Sequence, residues 1–91
     1  IGAELAARQA KRTALFITAV DGAPDAEKAL KSNKGLFEAS AAQDPFAMSA
    51  KAIDVGVAIL KGTPPEDRVI LIPTRLITKE NVADYKGWTS Q

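Results

Sequence analysis

The order of apolar and polar positions divides the chain into segments of strand-like and helix-like period. Residues 15–20 (LFITAV) are an almost unbroken apolar run, which predicts a strand covered on both faces, as in a parallel sheet. Residues 36–42 (LFEASAA) predict a second strand, more mixed and rich in small side chains. Between them Asp21-Gly22 marks a sharp turn, and Pro24 fits the first position of a helix, with Asp25 and Glu27 placing negative charge in its first turn. That helix should end near Ser32 and Asn33, with Lys34-Gly35 as its exit. After Gln43, Asp44 is a good N-cap and Pro45 a good first helical residue. The helix they start carries Phe46, Ala50, Ile53, Val57 and Leu60 in one apolar stripe, with Gly56 leaving room for another element. It should stop at Lys61-Gly62, because Thr63-Pro64-Pro65 forbids continuation.

The two ends are less regular. Residues 1–11 read as an amphipathic helix with Ile1, Leu5 and Ala6 inward and Glu4, Arg8 and Lys11 outside. No capping residue precedes it, so the chain is expected to be a fragment of a longer one. Residues 66–68 read as a polar loop and 69–72 as a short apolar strand, interrupted by Pro73. A proline cannot donate to a ladder, so it should mark an edge, a strand start or a crossing. Residues 74–77 resume an extended pattern, and Thr78 is placed to cap a last helix over 79–86 with Val82 and Tyr85 on one face. Gly87-Trp88 should end the ordered chain, with 89–91 fraying. The order α–β–α–β with short connections is the signature of an α/β fold with parallel crossovers.

Composition narrows the chemistry. The chain has 91 residues, enough for one small domain, and its 46% apolar and 25% charged residues match a globular protein. Aromatics are only 5%, so the core must come mainly from Ala, Ile, Leu and Val. The net charge of +1 is spread along the chain, without the basic face that nucleic acid requires. Arg8, Lys11 and Arg12 cluster at a helix end, where cations offset the dipole. Cysteine and histidine are both absent, which removes disulfides, thiolate metal sites and the commonest general base. No phosphate loop or nucleophile motif is present. Asp25/Glu27 and Glu66/Asp67 are paired acids at a helix start and in a loop, where they read as solvated charges. Magnesium ligation by Asp21 with Asp25 would need acids clustered at strand ends, and only Asp21 stands there. No enzymatic activity, metal or cofactor is therefore expected. No apolar run reaches the ~20 residues that span a bilayer, and no signal peptide is visible.

Two residues remain as candidates for binding. Asp21 closes the first strand, at the sheet end where α/β folds bind ligands. Read from its surroundings, it is either a turn former or a carboxylate that accepts from paired hydroxyls. Gln43 closes the second strand, and is either a loop residue or an amide that can donate to and accept from a hydroxyl.

Three stretches carry a family resemblance over nearly the whole chain. ITAVDGAPDAEKAL (17–30), FEASAAQDPFAMSAKAI (37–53) and VILIPTRLITKENVADY (69–85) resemble, in order and spacing, the carboxyl-terminal part of type I periplasmic sugar-binding proteins, the ribose/galactose-binding superfamily. The resemblance implies a fragment of a two-lobed α/β fold, with parallel sheets flanked by helices and three crossing segments between lobes. Residues 1–43 would belong to the C-terminal lobe, 44–72 to the hinge helix and strand of the N-terminal lobe, and 73–91 to the return crossing and C-terminal helix. Hinges would lie at Gln43–Asp44 and Ile72–Pro73. Asp21 and Gln43 match positions that hydrogen-bond sugar hydroxyls. The implied function is that of the substrate-binding component of a bacterial ABC importer, binding a sugar or polyol in the periplasm without chemical turnover. Its partners would be the ligand, the importer permease and the remaining portion of the same protein, with no nucleic acid. The helix over 44–61, left with an exposed stripe, is expected to fold against that portion or in a swapped assembly. Alternatives are the effector-binding core of a LacI-type transcription regulator, which shares these positions, and a receiver- or flavodoxin-like domain.

Overall fold

A computed structural model describes residues 1–88, so the expected fraying of 89–91 lies outside the described residues. The chain forms α1 (Gly2–Gln9), β1 (Ile17–Asp21), α2 (Pro24–Ser32), β2 (Phe37–Ala42), α3 (Pro45–Leu60) and β3 (Arg75–Thr78), followed by a 3₁₀ turn at Val82–Asp84. It is a small α/β structure built on one three-stranded mixed sheet, in the order β1-β2-β3. β1 and β2 pair in parallel from Ile17↔Phe37 to Asp21↔Ala42, with an irregularity that leaves Glu38 unmatched. Pro24 begins α2 and Asn33, at φ 51°, closes it in the left-handed conformation that ends many helices. Asp44 caps α3 as the sequence predicts, accepting from the Ala47 N–H at 2.8 Å.

The sheet departs from an all-parallel arrangement. β3 runs antiparallel to β2, from Arg75 opposite Ala42 to Thr78 opposite Ala39. The reason is positional: the chain leaves the sheet after Ala42 and re-enters it at the same end through Arg75, so it must run back along β2. The core is small and comprises Leu30 of α2, Phe37 and Ala42 of β2, Ile77 of β3 and Val82. β1 is not covered on both faces, because Val20 is 63% exposed and Phe16, just before the strand, is 72% exposed.

Three further expectations are corrected. Residues 69–72 form no strand; Val69 and Leu71 are exposed, and the segment finds no neighbouring strand to complete its ladder. The helix expected over 79–86 is reduced to the single 3₁₀ turn. Asn81 ties this turn back to β3: its Oδ1 accepts from the Thr78 N–H at 2.8 Å and its Nδ2 donates to the Leu76 carbonyl at 3.1 Å. Val82 is nevertheless buried, with Tyr85 packed against the same core.

The orientation of α1 is the third correction. Ile1 and Leu5 are exposed, whereas the Glu4 side chain is only 13% exposed. Its carboxylate accepts from the Leu36 N–H at 3.1 Å and from Arg8 at 2.9 Å, and it lies against Gly35, where a Cβ would have to push the carboxylate aside. The charge therefore docks the helix, and the apolar side chains do not.

α3 stands apart. It buries no residue, and the closest packing is of β1 with β2, β2 with β3, α2 with β2 and α2 with the 3₁₀ turn. The stripe residues Phe46, Ile53, Val57 and Leu60 are all exposed. The radius of gyration is 17.4 Å and the extents are 58 × 23 × 15 Å, against about 12 Å for a compact domain of this length.

The Glu4 contact makes α1 docking pH-dependent. The Arg8 guanidinium first, and then the Leu36 N–H, hold its carboxyl below the ordinary glutamate range. A depressed carboxyl contributes stability above the unfolded-state pKa and loses it as pH falls through the folded value. Acidification below the ordinary glutamate range should therefore lower the protection factor of the Leu36 amide, its exchange rate compared by NMR with that of the unfolded chain at the same pH. Glu4→Gln, which keeps an acceptor oxygen but no titrating charge, should flatten that dependence.

Candidate functional site

The carboxyl ends of β1 and β2 lie side by side. The Gln43 N–H donates to the Asp21 carbonyl at 3.0 Å, so the two sequence-predicted residues are joined through the backbone as the ladder ends. Asp21 is exposed although its ladder partner Ala42 is buried. The backbone explains the difference: Asp21 has φ 103°, outside the region that L-residues favour, and Gly22 follows at φ 64°. Such a conformation costs about 1–3 kcal/mol and persists only where the surroundings over-determine it.

Those surroundings come from two directions. Ser40 of β2, fully buried, accepts from the Gly22 N–H at 3.0 Å. From the end of the chain, the Tyr85 hydroxyl donates to the Gly22 carbonyl at 2.8 Å and Trp88 Nε1 donates to the Asp21 carbonyl at 2.9 Å. Burial, and then the negative charges of Glu27 and Asp44, push the Tyr85 phenol up from its ordinary range, so it stays a protonated donor. Among the described residues, no hydrogen bond engages the Asp21 carboxylate or the Gln43 amide side chain. Both are available to a ligand.

Two cavities open near this end of the sheet. One, of about 510 Å³, is lined by Gln43, Asp44, Ile72, Pro73, Arg75 and Asp84–Gly87 among others. It brings the four expected hinge residues together, but Asp21 does not line it. The other, of about 600 Å³, lies between α3 and the returning segment, with Gln43 and Asp44 at one end. Its walls are mainly apolar, with Met48, Ala52, Val55, Ile59, Ile70 and Leu71, and carry Lys51, Arg68 and Thr74 as further polar groups. Met48, Ala52, Val55 and Ile59 form a second apolar stripe on α3, distinct from the one that the sequence pattern singles out.

Asp25 and Glu27 face lysines rather than a metal: Lys28 lies 3.9 Å from Asp25 and Lys31 2.6 Å from Glu27. Among the described residues, no group of three or more acidic side chains could hold a metal ion, and no helix is long and apolar enough to cross a membrane. Ser40, Tyr85 and Trp88 had no place in the sequence reading of the site. Ser40 is hidden in a run of small strand residues, and Tyr85 reads as one more apolar position. Compared with known proteins, the chain matches no family model and no curated sequence.

Gly22 is the most constrained position of the site. A Cβ there would lie 2.5 Å from the Ala42 Cβ and 2.9 Å from both the Ala42 Cα and the Tyr85 hydroxyl. Gly22→Ala should therefore destabilise the fold by about 2 kcal/mol or more, from positive φ and backbone overlap together. In a thermal melt that is a fall of roughly 8 °C or more for a domain of this size.

Proposed function

We propose that the chain is part of a two-lobed solute-binding protein that holds a sugar or polyol for a bacterial ABC importer. The observation that carries this reading is that the adjoining ends of two parallel strands carry a carboxylate and an amide that no hydrogen bond engages among the described residues. Asp21 accepts from neighbouring hydroxyls through its two oxygens, and Gln43 both donates to and accepts from another. Neither step needs a general base, a nucleophile or a metal, in keeping with a chain that has no histidine or cysteine. Recognition is by hydrogen bonding without turnover.

The path of the chain supports the two-lobed reading. It leaves the sheet after Ala42 and returns to the same sheet at Arg75, and the excursion between them projects away from the core. In this proposal residues 1–43 and 73–91 belong to the C-terminal lobe and 44–72 to the other. Gln43–Asp44 and Ile72–Pro73 are the crossings about which the lobes close. The two apolar stripes of α3 then pack within the second lobe, whose remaining elements come from the rest of the same protein. Periplasmic location and docking on an importer permease follow from this function. An antiparallel β3 also departs from the all-parallel sheet of a receiver- or flavodoxin-like domain.

Truncating one partner of a buried hydrogen bond costs about 1–3 kcal/mol, more when that partner is charged. In the two-lobed protein, Asp21→Ala should weaken binding of the transported sugar at least tenfold by isothermal calorimetry, while Asp25→Ala leaves it unchanged. Equal affinities for Asp21→Ala and the parent would remove Asp21 from the site.

A further inference from the structure

The peptide between Asp21 and Gly22 is held more completely than a change of chain direction requires. The Asp21 carbonyl receives two donors, the Gln43 N–H at 3.0 Å and Trp88 Nε1 at 2.9 Å. The Gly22 N–H is bound by Ser40 Oγ at 3.0 Å, and the Gly22 carbonyl by the Tyr85 hydroxyl at 2.8 Å. Every backbone polar atom from the Asp21 carbonyl to the Gly22 carbonyl is thus engaged, from β2 on one side and the end of the chain on the other. A turn serving only to reverse the chain could place glycine at both positions and relax. Here an aspartate occupies φ 103°, and its carboxylate is left unbonded among the described residues.

We infer that Ser40, Tyr85 and Trp88 are positioning residues that lock the Asp21–Gly22 peptide and so present the Asp21 carboxylate, preorganised, to ligand hydroxyls. The inference rests on the sugar-binding reading of Asp21. Ser40 fixes the turn from inside the sheet, and Tyr85 and Trp88 clasp it from outside. Preorganisation improves affinity by removing the ordering cost from the binding step. Val82 already anchors the end of the chain in the core, so the two clasp bonds are not needed merely to keep it attached. Trp88 is the sole tryptophan, which makes its fluorescence a reporter placed on the Asp21 carbonyl.

The test uses the 91-residue chain with Tyr85→Phe and Trp88→Phe, each of which removes one donor and keeps an aromatic ring. Ribose, galactose and xylitol serve as probes, with affinity read by calorimetry, Trp88 emission read in the parent and in Tyr85→Phe, and Gly22 and Gln43 amide exchange read by NMR. The expected result is a sugar-dependent shift in Trp88 emission and, in each variant, binding weaker by roughly fivefold. Exchange at Gly22 and Gln43 should also speed up, with melting temperatures close to the parent. Parent-like affinity in both variants would overturn the inference, whatever the exchange rates, and reduce Tyr85 and Trp88 to structural ties. If none of the probes binds the parent chain, the sugar reading is decided by Asp21→Ala in the two-lobed protein, and exchange decides the lock. Faster exchange at Gly22 and Gln43 with unchanged melting supports it; unchanged exchange overturns it.

Discussion

The hydrogen bond from the Gly22 N–H to buried Ser40 Oγ is the contact on which the rest of this structure depends. It forms only because Gly22 lacks a side chain, which lets the turn after β1 settle directly on Ala42. That close approach joins the ends of the parallel strands and sets where α2 begins. It thereby carries Leu30, fully buried on α2, over the sheet. The same turn receives Tyr85 and Trp88, so the first and last parts of the chain close on one dipeptide. Under the sugar-binding proposal, stability and presentation of Asp21 come from one set of bonds.

A second constraint acts on α3. The helix has one apolar stripe through Phe46, Ile53 and Leu60 and another through Met48, Val55 and Ile59, and a helix apolar on opposite sides is built to be enclosed. In this structure the helix buries no residue. The sheet half and the α3 half are thus energetically unlike: one has a core of its own, and the other has surfaces made for partners. Under the two-lobed proposal the difference is functional, since the crossings that separate the halves are the segments about which a clamp would close.

Much of the α/β skeleton was legible because its signals are local. Proline at the start of α2 and α3, aspartate as the α3 cap and the apolar run of β1 each act within a few residues. What failed depended on partners elsewhere in the chain. The 69–72 stretch has strand composition but no neighbouring strand to pair with. The 79–86 helix is reduced to one 3₁₀ turn, whose Asn81 side chain ties it back to β3 across contacts with Leu76 and Thr78. Periodicity sets the charges of α1 outward, yet Glu4 docks it by reaching the Leu36 N–H, a contact 32 residues away that periodicity cannot reveal. Asp21 and Gln43 were visible as strand-end residues. The bonds that hold Asp21 were not, because Ser40 and Trp88 become meaningful only once β2 and the chain end meet the turn.

The central claim is that ligand hydroxyls are met at the joined ends of β1 and β2. It is tested most directly by ¹H–¹⁵N shift mapping of the two-lobed protein that contains this chain, during titration with a pentose, a hexose and an acyclic polyol. The account predicts saturable shifts for at least one of them, concentrated at Asp21, Gly22, the Gln43 side-chain amide and the Trp88 indole N–H. Shifts confined to the apolar cavity along α3, or no saturable shift at the strand ends with any of the three, would contradict it.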